Sequence, residues 1–213
     1  MNRVLHFRQT EESKVWLSSD FHYNHNPKWP IPIWKMRGYN SVGEMNVDII
    51  KTINDNVKYD DIMIYLGDFM LNSSSDQFEN FLSQINCQSV YMLFGNHNSC
   101  TWSNYEEHIY SIYGKRDIEV YPLRYRNLIY VGNYLEFSVD GSKTVASHYP
   151  LSSWNGMSHN GIHIHGHIHS TKENYKLDGK TIDVGFDYWK RPVSFDEIKQ
   201  LMDKIPRKQE GHH

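Results

Sequence analysis

The chain has 213 residues with 22 Lys and Arg against 25 Asp and Glu. The net charge of −3 removes the overall positive field of a protein that grips nucleic acid chiefly through phosphates. At this length roughly 70% of the unfolded surface is buried on folding, so a core needs neither a disulfide framework nor a structural metal. The two cysteines, Cys87 and Cys100, form no C-x-x-C pair and read as free thiols of a reducing compartment. No run approaches the ~18 apolar residues of a membrane helix, and MNRVLHFRQTEESK carries no signal-peptide core. A cytoplasmic protein without membrane contact is expected. The organisation reads as one domain over 1–209, with residues 210–213, EGHH, as the remnant of a purification tag.

Val15-Trp16-Leu17 predicts a buried strand halted by Ser18-Ser19-Asp20, followed by a His- and Pro-rich loop from Phe21 to about Tyr39. Ser41 and Glu44 form a capping box before Met45, Ile49, Ile50, Ile53 and Val57 at helical spacing. A second strand over 61–66 ends at Gly67-Asp68, a helix follows over 76–85, a third strand over 89–94 ends at Gly95, and a further helix is predicted over 104–112. Strands separated by helices imply parallel pairing. From Leu128 the runs IYVGN, YLEFSVDG and KTVASH predict antiparallel strands, with Asp140-Gly141 as a hairpin turn. Strands over 161–165 and 181–184 are added to these, and a closing helix over 194–202 is capped by Ser194 and Glu197.

Five of these strands end in residues able to bind metal: Asp20 and His22, Asp68, Asn96 and His97, His148, and His167 with His169. In open α/β sheets the functional crevice lies beyond the carboxyl ends of the strands, so residues dispersed in sequence can meet there. Carboxylates, imidazoles and an amide oxygen without thiolates suit divalent first-row ions such as Mn²⁺, Fe²⁺ or Zn²⁺. Two such ions about 3.5 to 4 Å apart need a bridging carboxylate, and Asp68, between the other ligand groups, is the natural bridge.

The ordered series Asp20-x-His22, Gly67-Asp68, Gly95-Asn96-His97, His148 and Gly166-His167-x-His169 resembles the calcineurin-like metallophosphoesterase family. The segments HYPLSSW and DVGFDYWKRPVSFDEI are similar to those of small phosphoesterases from bacteria and phages. The resemblance spans roughly Val15 to Lys199. It implies an α/β fold, a four-layered α/β/β/α sandwich of two mixed sheets flanked by helices. It also implies one ion on Asp20, His22, Asp68 and His169 and a second on Asp68, Asn96, His148 and His167. Asp68 is then catalytic as the bridge. His97 would contact the phosphoryl group and act as general acid to the leaving oxygen, and Asn96 would lie at the same contact. Two departures from the family pattern stand out: Asn98 replaces an aspartate that often follows the histidine, and FMLNSSS lacks a second carboxylate after Gly67-Asp68.

His25 in HYNH, and Arg37 and Arg191 near family-like segments, are candidate phosphate contacts beside the default of loop or surface roles. His163 and His165 alternate with Ile162 and Ile164, and a strand with one polar face accounts for them without metal. Trp29, Trp34, Tyr39 and Trp154 could stack on a flat substrate group or simply cover the core.

The function expected is hydrolysis of a small-molecule or nucleotide phosphodiester or phosphomonoester by in-line attack of a metal-bound hydroxide, using two divalent first-row ions (Mn, Fe or Zn). One rival is a nuclease of the same fold, which the sparse basic clusters Lys115-Arg116, Arg124/Arg126 and Arg207-Lys208 disfavour. The other is a non-catalytic protein-interaction scaffold of the same fold, disfavoured by the complete ligand set.

Overall fold

The computed structural model describes residues 4–27, 31–70, 74–97, 119–123, 126–172, 174 and 179–206. The elements are β1 (Leu5–Phe7), β2 (Val15–Ser18), α1 (Ile33–Met36), α2 (Val42–Asn56), β3 (Ile62–Tyr65), α3 (Ser75–Gln84) and β4 (Ser89–Met92). They continue as β5 (Glu119–Leu123), β6 (Arg126–Tyr130), β7 (Tyr134–Val139), β8 (Ser142–Ser147), β9 (Ile162–His165), β10 (Thr181–Asp183), α4 (Phe186–Trp189), β11 (Val193–Ser194) and α5 (Phe195–Met202). The helix expected over 104–112, the tag residues, Cys100, Trp29, Asn98 and most of the basic clusters lie outside the described residues.

The strands form two mixed sheets, ordered β1-β7-β8-β9-β10 and β11-β2-β3-β4-β6-β5. In the larger, β2, β3 and β4 run parallel, as their intervening helices demand, and β11 closes the edge antiparallel to β2. In the smaller, only β7 and β8 make the expected antiparallel hairpin, turning at Asp140 (φ 49°) and Gly141 (φ 82°). Elsewhere the antiparallel expectation holds only in part: β6 is antiparallel to β5 but parallel to β4, and β8 pairs parallel with β9 and β9 with β10. Between β8 and β9 the crossover is a loop with one 3₁₀ turn rather than a regular helix, so the sequence lacks the helical spacing that would announce that parallel pairing. The three-residue β1, which no pattern marks, adds parallel to β7.

Apolar faces fix the layers. Met45, Ile49 and Ile53 of α2 and Phe78, Phe81 and Leu82 of α3 pack on Met63, Tyr65, Val90 and Met92 of the larger sheet. Between the sheets, Leu17, Ile64, Leu93, Phe137, Ala146, Ile164 and Ile182 form a second core, which Phe195, Ile198 and Met202 of α5 complete at one edge. On the far side of the smaller sheet, a 3₁₀ turn (Met157–His159) with Trp154 covers Val145. The result is the α/β sandwich of two mixed sheets with flanking helices that was expected, its outer layer on the smaller sheet being thin among the described residues. No described helix is long and apolar enough to cross a membrane.

Caps follow the sequence with one change. Ser194 and Glu197 close a full capping box at α5, and Ser74 with Gln77 does the same at α3. At α2 the Ser41 hydroxyl accepts from Glu44 N–H, but the Glu44 carboxylate takes the Asn40 N–H (2.8 Å) instead of that of Ser41.

Candidate metal centre

Parallel β2, β3 and β4 deliver Asp20 and His22, Asp68, and Asn96 and His97 at one rim, and parallel β8 and β9 deliver His148, His167 and His169 to it. Asp20, His22 and His169 offer ligand atoms all within 4.8 Å of one another, and so do Asp68, His148 and His167. His22 Nε2 lies 3.1 Å from His169 Nε2 and 3.8 Å from Asp68 Oδ2, so the two groups adjoin through Asp68. On its other side Asp68 Oδ1 is 3.4 Å from His148 Nε2, which also meets Asn96 Oδ1 at 3.0 Å.

The backbone around these residues is strained in a consistent way. Asp20, His22, Asp68, His167 and His169 all have φ between 47° and 71°, the left-handed region that costs an L-residue roughly 1–2 kcal/mol. Such outliers persist only where surrounding contacts over-determine them. Asp20 N–H donates to the Gly67 carbonyl (3.1 Å), and His22 N–H to the Asp68 carbonyl (3.1 Å). Buried Tyr65 receives Phe21 N–H on its hydroxyl oxygen (2.8 Å) and donates its O–H to the Asp68 carbonyl (3.2 Å). His167 N–H reaches Asp20 Oδ2 at 3.0 Å. Glycine is required at Gly166, where a Cβ would sit 2.3 Å from Asp20 Oδ2.

The donor set fits cations. His148 Nδ1 lies 2.8 Å from the Leu66 carbonyl, which can only accept, so Nδ1 carries the proton and the Nε2 lone pair of a neutral ring faces two oxygens. That contact is favourable only when Nε2 also takes up a proton, as the raised His148 pKa allows, or when a metal ion joins it. His169 repeats the pattern, with Nδ1 2.6 Å from Asp187 Oδ2 and Nε2 aimed at His22 Nε2 and, at 3.9 Å, Asp20 Oδ1. Asp20 Oδ1 is buried without a hydrogen-bond partner among the described residues, a costly arrangement for an ionised carboxylate that a bound ion would relieve.

Titration follows these contacts. Burial pushes Asp20 up to about 6, against the opposing pull of His169 and His148. Burial also acts to raise Asp68, yet hydrogen bonding and charge from His148, the His97 N–H and His22 outweigh it and bring the carboxyl to about 2. Desolvation lowers His22 far below an ordinary imidazole and also lowers His167. It opposes protonation of His148 and His169, but the carboxylates Asp68 and Asp187, each with Asp20, raise both.

His97 lies beside this centre, its ring centroid 5.5 Å from that of His22, with its backbone N–H donated to Asp68 Oδ1 (2.9 Å). Its ring is left outside both three-residue groups. Half-buried His25 stands 5.3 Å from the His22 ring, and its Nδ1 accepts Ile33 N–H (3.2 Å), which places the proton of the neutral ring on Nε2.

Two expectations change. Arg37 is not an open phosphate clamp: its side chain is 2% exposed, and its guanidinium is engaged by both oxygens of Asp187 and by the carbonyls of Asp20 and Phe21. Arg191 is engaged as well. It binds Glu197 and the Pro192 carbonyl, bracing the start of α5 and drawing the Glu197 carboxyl down to about 2. His163 and His165 share a strand face, but that face is buried, and neither belongs to the two groups above. Trp154 and Tyr39 are committed as well, Trp154 through its indole N–H on the Gly161 carbonyl and Tyr39 on Asp48, while Trp34 packs on the α2 core.

Asp187 and Tyr65 are supporting residues that no sequence motif singled out. Asp187 lies four residues after the end of β10, in the first turn of α4, a weaker form of the same strand-end signal.

A model of the calcineurin-like phosphoesterase family matches residues 13–212. An uncharacterized protein of Methanocaldococcus jannaschii is 27% identical over 196 residues, covering 90% of this chain and 92% of that protein. The crystal structure of a protein of unknown function from Aquifex aeolicus superposes with a TM-score of 0.60 at 17% identity, over 89% of this chain and 99% of that one, and shares the fold. With two adjoining His/Asp groups at the rim of its sheets and a family match over nearly its whole length, the chain belongs to the calcineurin-like phosphoesterase family.

Proposed function

We propose that the protein is a single-domain phosphoesterase that hydrolyses a small-molecule or nucleotide phosphodiester or phosphomonoester with the help of two divalent first-row ions. One ion would be held by Asp20, His22, Asp68 and His169, the other by Asp68, Asn96, His148 and His167. The observation that carries this reading is the convergence of imidazole lone pairs and carboxylate oxygens in two adjoining groups. When bound, such ions act as Lewis acids that lower the pKa of water and offset negative charge on phosphoryl oxygens.

The chain's own groups do the rest. Asp68, kept ionised by His148 and the His97 N–H, stands between the two half-sites and orients both. His97, free of both groups, donates a ring proton to the leaving oxygen as its bond to phosphorus breaks. His25 Nε2–H is available to a phosphoryl oxygen, because its Nδ1 is already occupied. The Asn96 amide adjoins the same phosphoryl contact while its oxygen faces His148 Nε2.

Hydrolysis of a chromogenic phosphodiester, abolished by a chelator and restored by Mn²⁺, Fe²⁺ or Zn²⁺, is the direct test. Metal uptake without turnover across cyclic nucleotides, dinucleotides, phosphomonoesters and short single-stranded DNA would instead favour an interaction scaffold. Turnover of the DNA alone would favour a nuclease.

A further inference from the structure

We propose that Arg37, acting through Asp187, is the positioning residue of the half-site formed by Asp20, His22 and His169. It would set that half-site's affinity for a divalent first-row ion while touching neither ion nor substrate. The inference rests on the metal-dependent reading above and names the device that builds one of its two sites.

Three of this half-site's four ligands, all but the shared Asp68, depend on one guanidinium. Arg37 Nη2 donates to the Asp20 carbonyl (2.6 Å) and Nη1 to the Phe21 carbonyl (2.7 Å). Those two peptide groups flank Phe21, between the left-handed residues Asp20 (φ 59°) and His22 (φ 50°). Holding both carbonyls fixes the directions in which the Asp20 carboxylate and the His22 imidazole leave the backbone. Two further donors form a fork on Asp187, Nε to Oδ1 (2.8 Å) and Nη2 to Oδ2 (2.9 Å). Asp187 Oδ2 in turn accepts the Nδ1 proton of His169 (2.6 Å), which selects the tautomer whose Nε2 lone pair faces Asp20 and His22. The Phe186 ring lies 5.1 Å from the guanidinium carbon and helps shield the fork from water.

The other half-site meets this network only through the His167 N–H on Asp20 Oδ2 and the shared Asp68, and its own side chains are oriented by other partners. His148 Nδ1 is held by the Leu66 carbonyl, and Asp68 Oδ1 by the His97 N–H. Loss of the fork should therefore weaken one half-site and spare the other, which general damage to the fold would not do. Lysine cannot replace the arginine, since an ammonium has no planar fork with which to hold a carboxylate and two carbonyls together.

The test is a Co²⁺ titration of metal-stripped full-length protein under chelator competition, comparing wild type with Asp187→Asn, Asp187→Ala and Arg37→Lys. Wild type should take up two ions. Each variant should keep one at wild-type affinity and bind the other about 10- to 100-fold more weakly. Asp187→Ala should lose more than Asp187→Asn, whose amide oxygen can still accept from Nδ1. At Mn²⁺ levels that fill both wild-type sites, the variants' paramagnetic resonance spectra should change from that of a coupled pair to that of an isolated ion. Melting temperatures of the stripped proteins check folding, and if Arg37→Lys does not fold the two Asp187 variants decide. Equal weakening of both sites, or binding unchanged from a two-ion wild type, overturns this inference alone. A wild type that takes up no ion overturns it together with the metal-dependent reading.

Discussion

Gly95 and Asp68 touch so closely that a Cβ on the glycine would lie 2.0 Å from Asp68 Oδ1. The missing side chain is therefore part of how the carboxylate is placed, since the same oxygen receives the His97 N–H. Gly95→Ala forces either the β4 end or the Asp68 carboxylate to move. Overpacking of this kind costs about 1–3 kcal/mol. A lower melting temperature together with reduced metal content is expected. Unchanged metal content would show that Asp68 needs no such support.

Asp68 adjoins both half-sites, with His22 Nε2 3.8 Å from Oδ2 and His148 Nε2 3.4 Å from Oδ1. Asp68→Asn keeps the shape but removes the charge that joins them. Metal content should fall from about two ions per chain, and activity on any phosphoester should fall at least about 100-fold. Elemental analysis of the saturated, active wild type, corrected for the terminal histidines, that gave one ion would end the two-ion reading.

His97 is expected to act on the leaving group without holding an ion. His97→Ala should retain both ions. It should slow esters with basic leaving groups more than an activated nitrophenyl ester, whose acidic leaving group needs little protonation. Equal losses on the two kinds of ester would make His97 a positioning group.

Buried His163 supplies a pH-dependent contribution to stability away from the metal centre. Its Nε2 accepts Leu151 N–H (3.0 Å) and its Nδ1 faces the Val145 carbonyl (3.2 Å), so the neutral ring is the one the fold accommodates. Burial, with the neighbouring His165, lowers its pKa to about 4. The unfolded chain takes up this proton near pH 6.5 and the folded chain only near 4, so stability falls as pH drops through that window. The loss is about 3 kcal/mol. His163→Gln should flatten the melting temperature between pH 6.5 and 4 relative to wild type. Parallel curves would assign the acid sensitivity elsewhere.

The kinds of residue at the centre and their order were legible in the sequence because each follows a β-prone run that stops at a polar or glycine residue. Asp20, Asp68, Asn96, His148 and His167 all occupy such positions, and parallel strands must bring their carboxyl ends to one rim. The helices α2, α3 and α5 were legible for a similar reason, since their apolar spacing and caps are local properties. Tertiary structure alone decided what is non-local. The pairing of β8 with β9 depends on which edges meet after loop crossovers, for which no periodicity exists. Arg37 reads as a surface cation in sequence, but burial leaves it no solvent, and it must satisfy its donors on Asp187 and the carbonyls of Asp20 and Phe21, 150 and 16 or 17 residues away. The left-handed backbone of Asp20, His22 and His169 is likewise invisible in residue type, because those conformations are unfavourable alone and persist through contacts between segments distant in the chain, such as Asp20 N–H on the Gly67 carbonyl and His22 N–H on the Asp68 carbonyl.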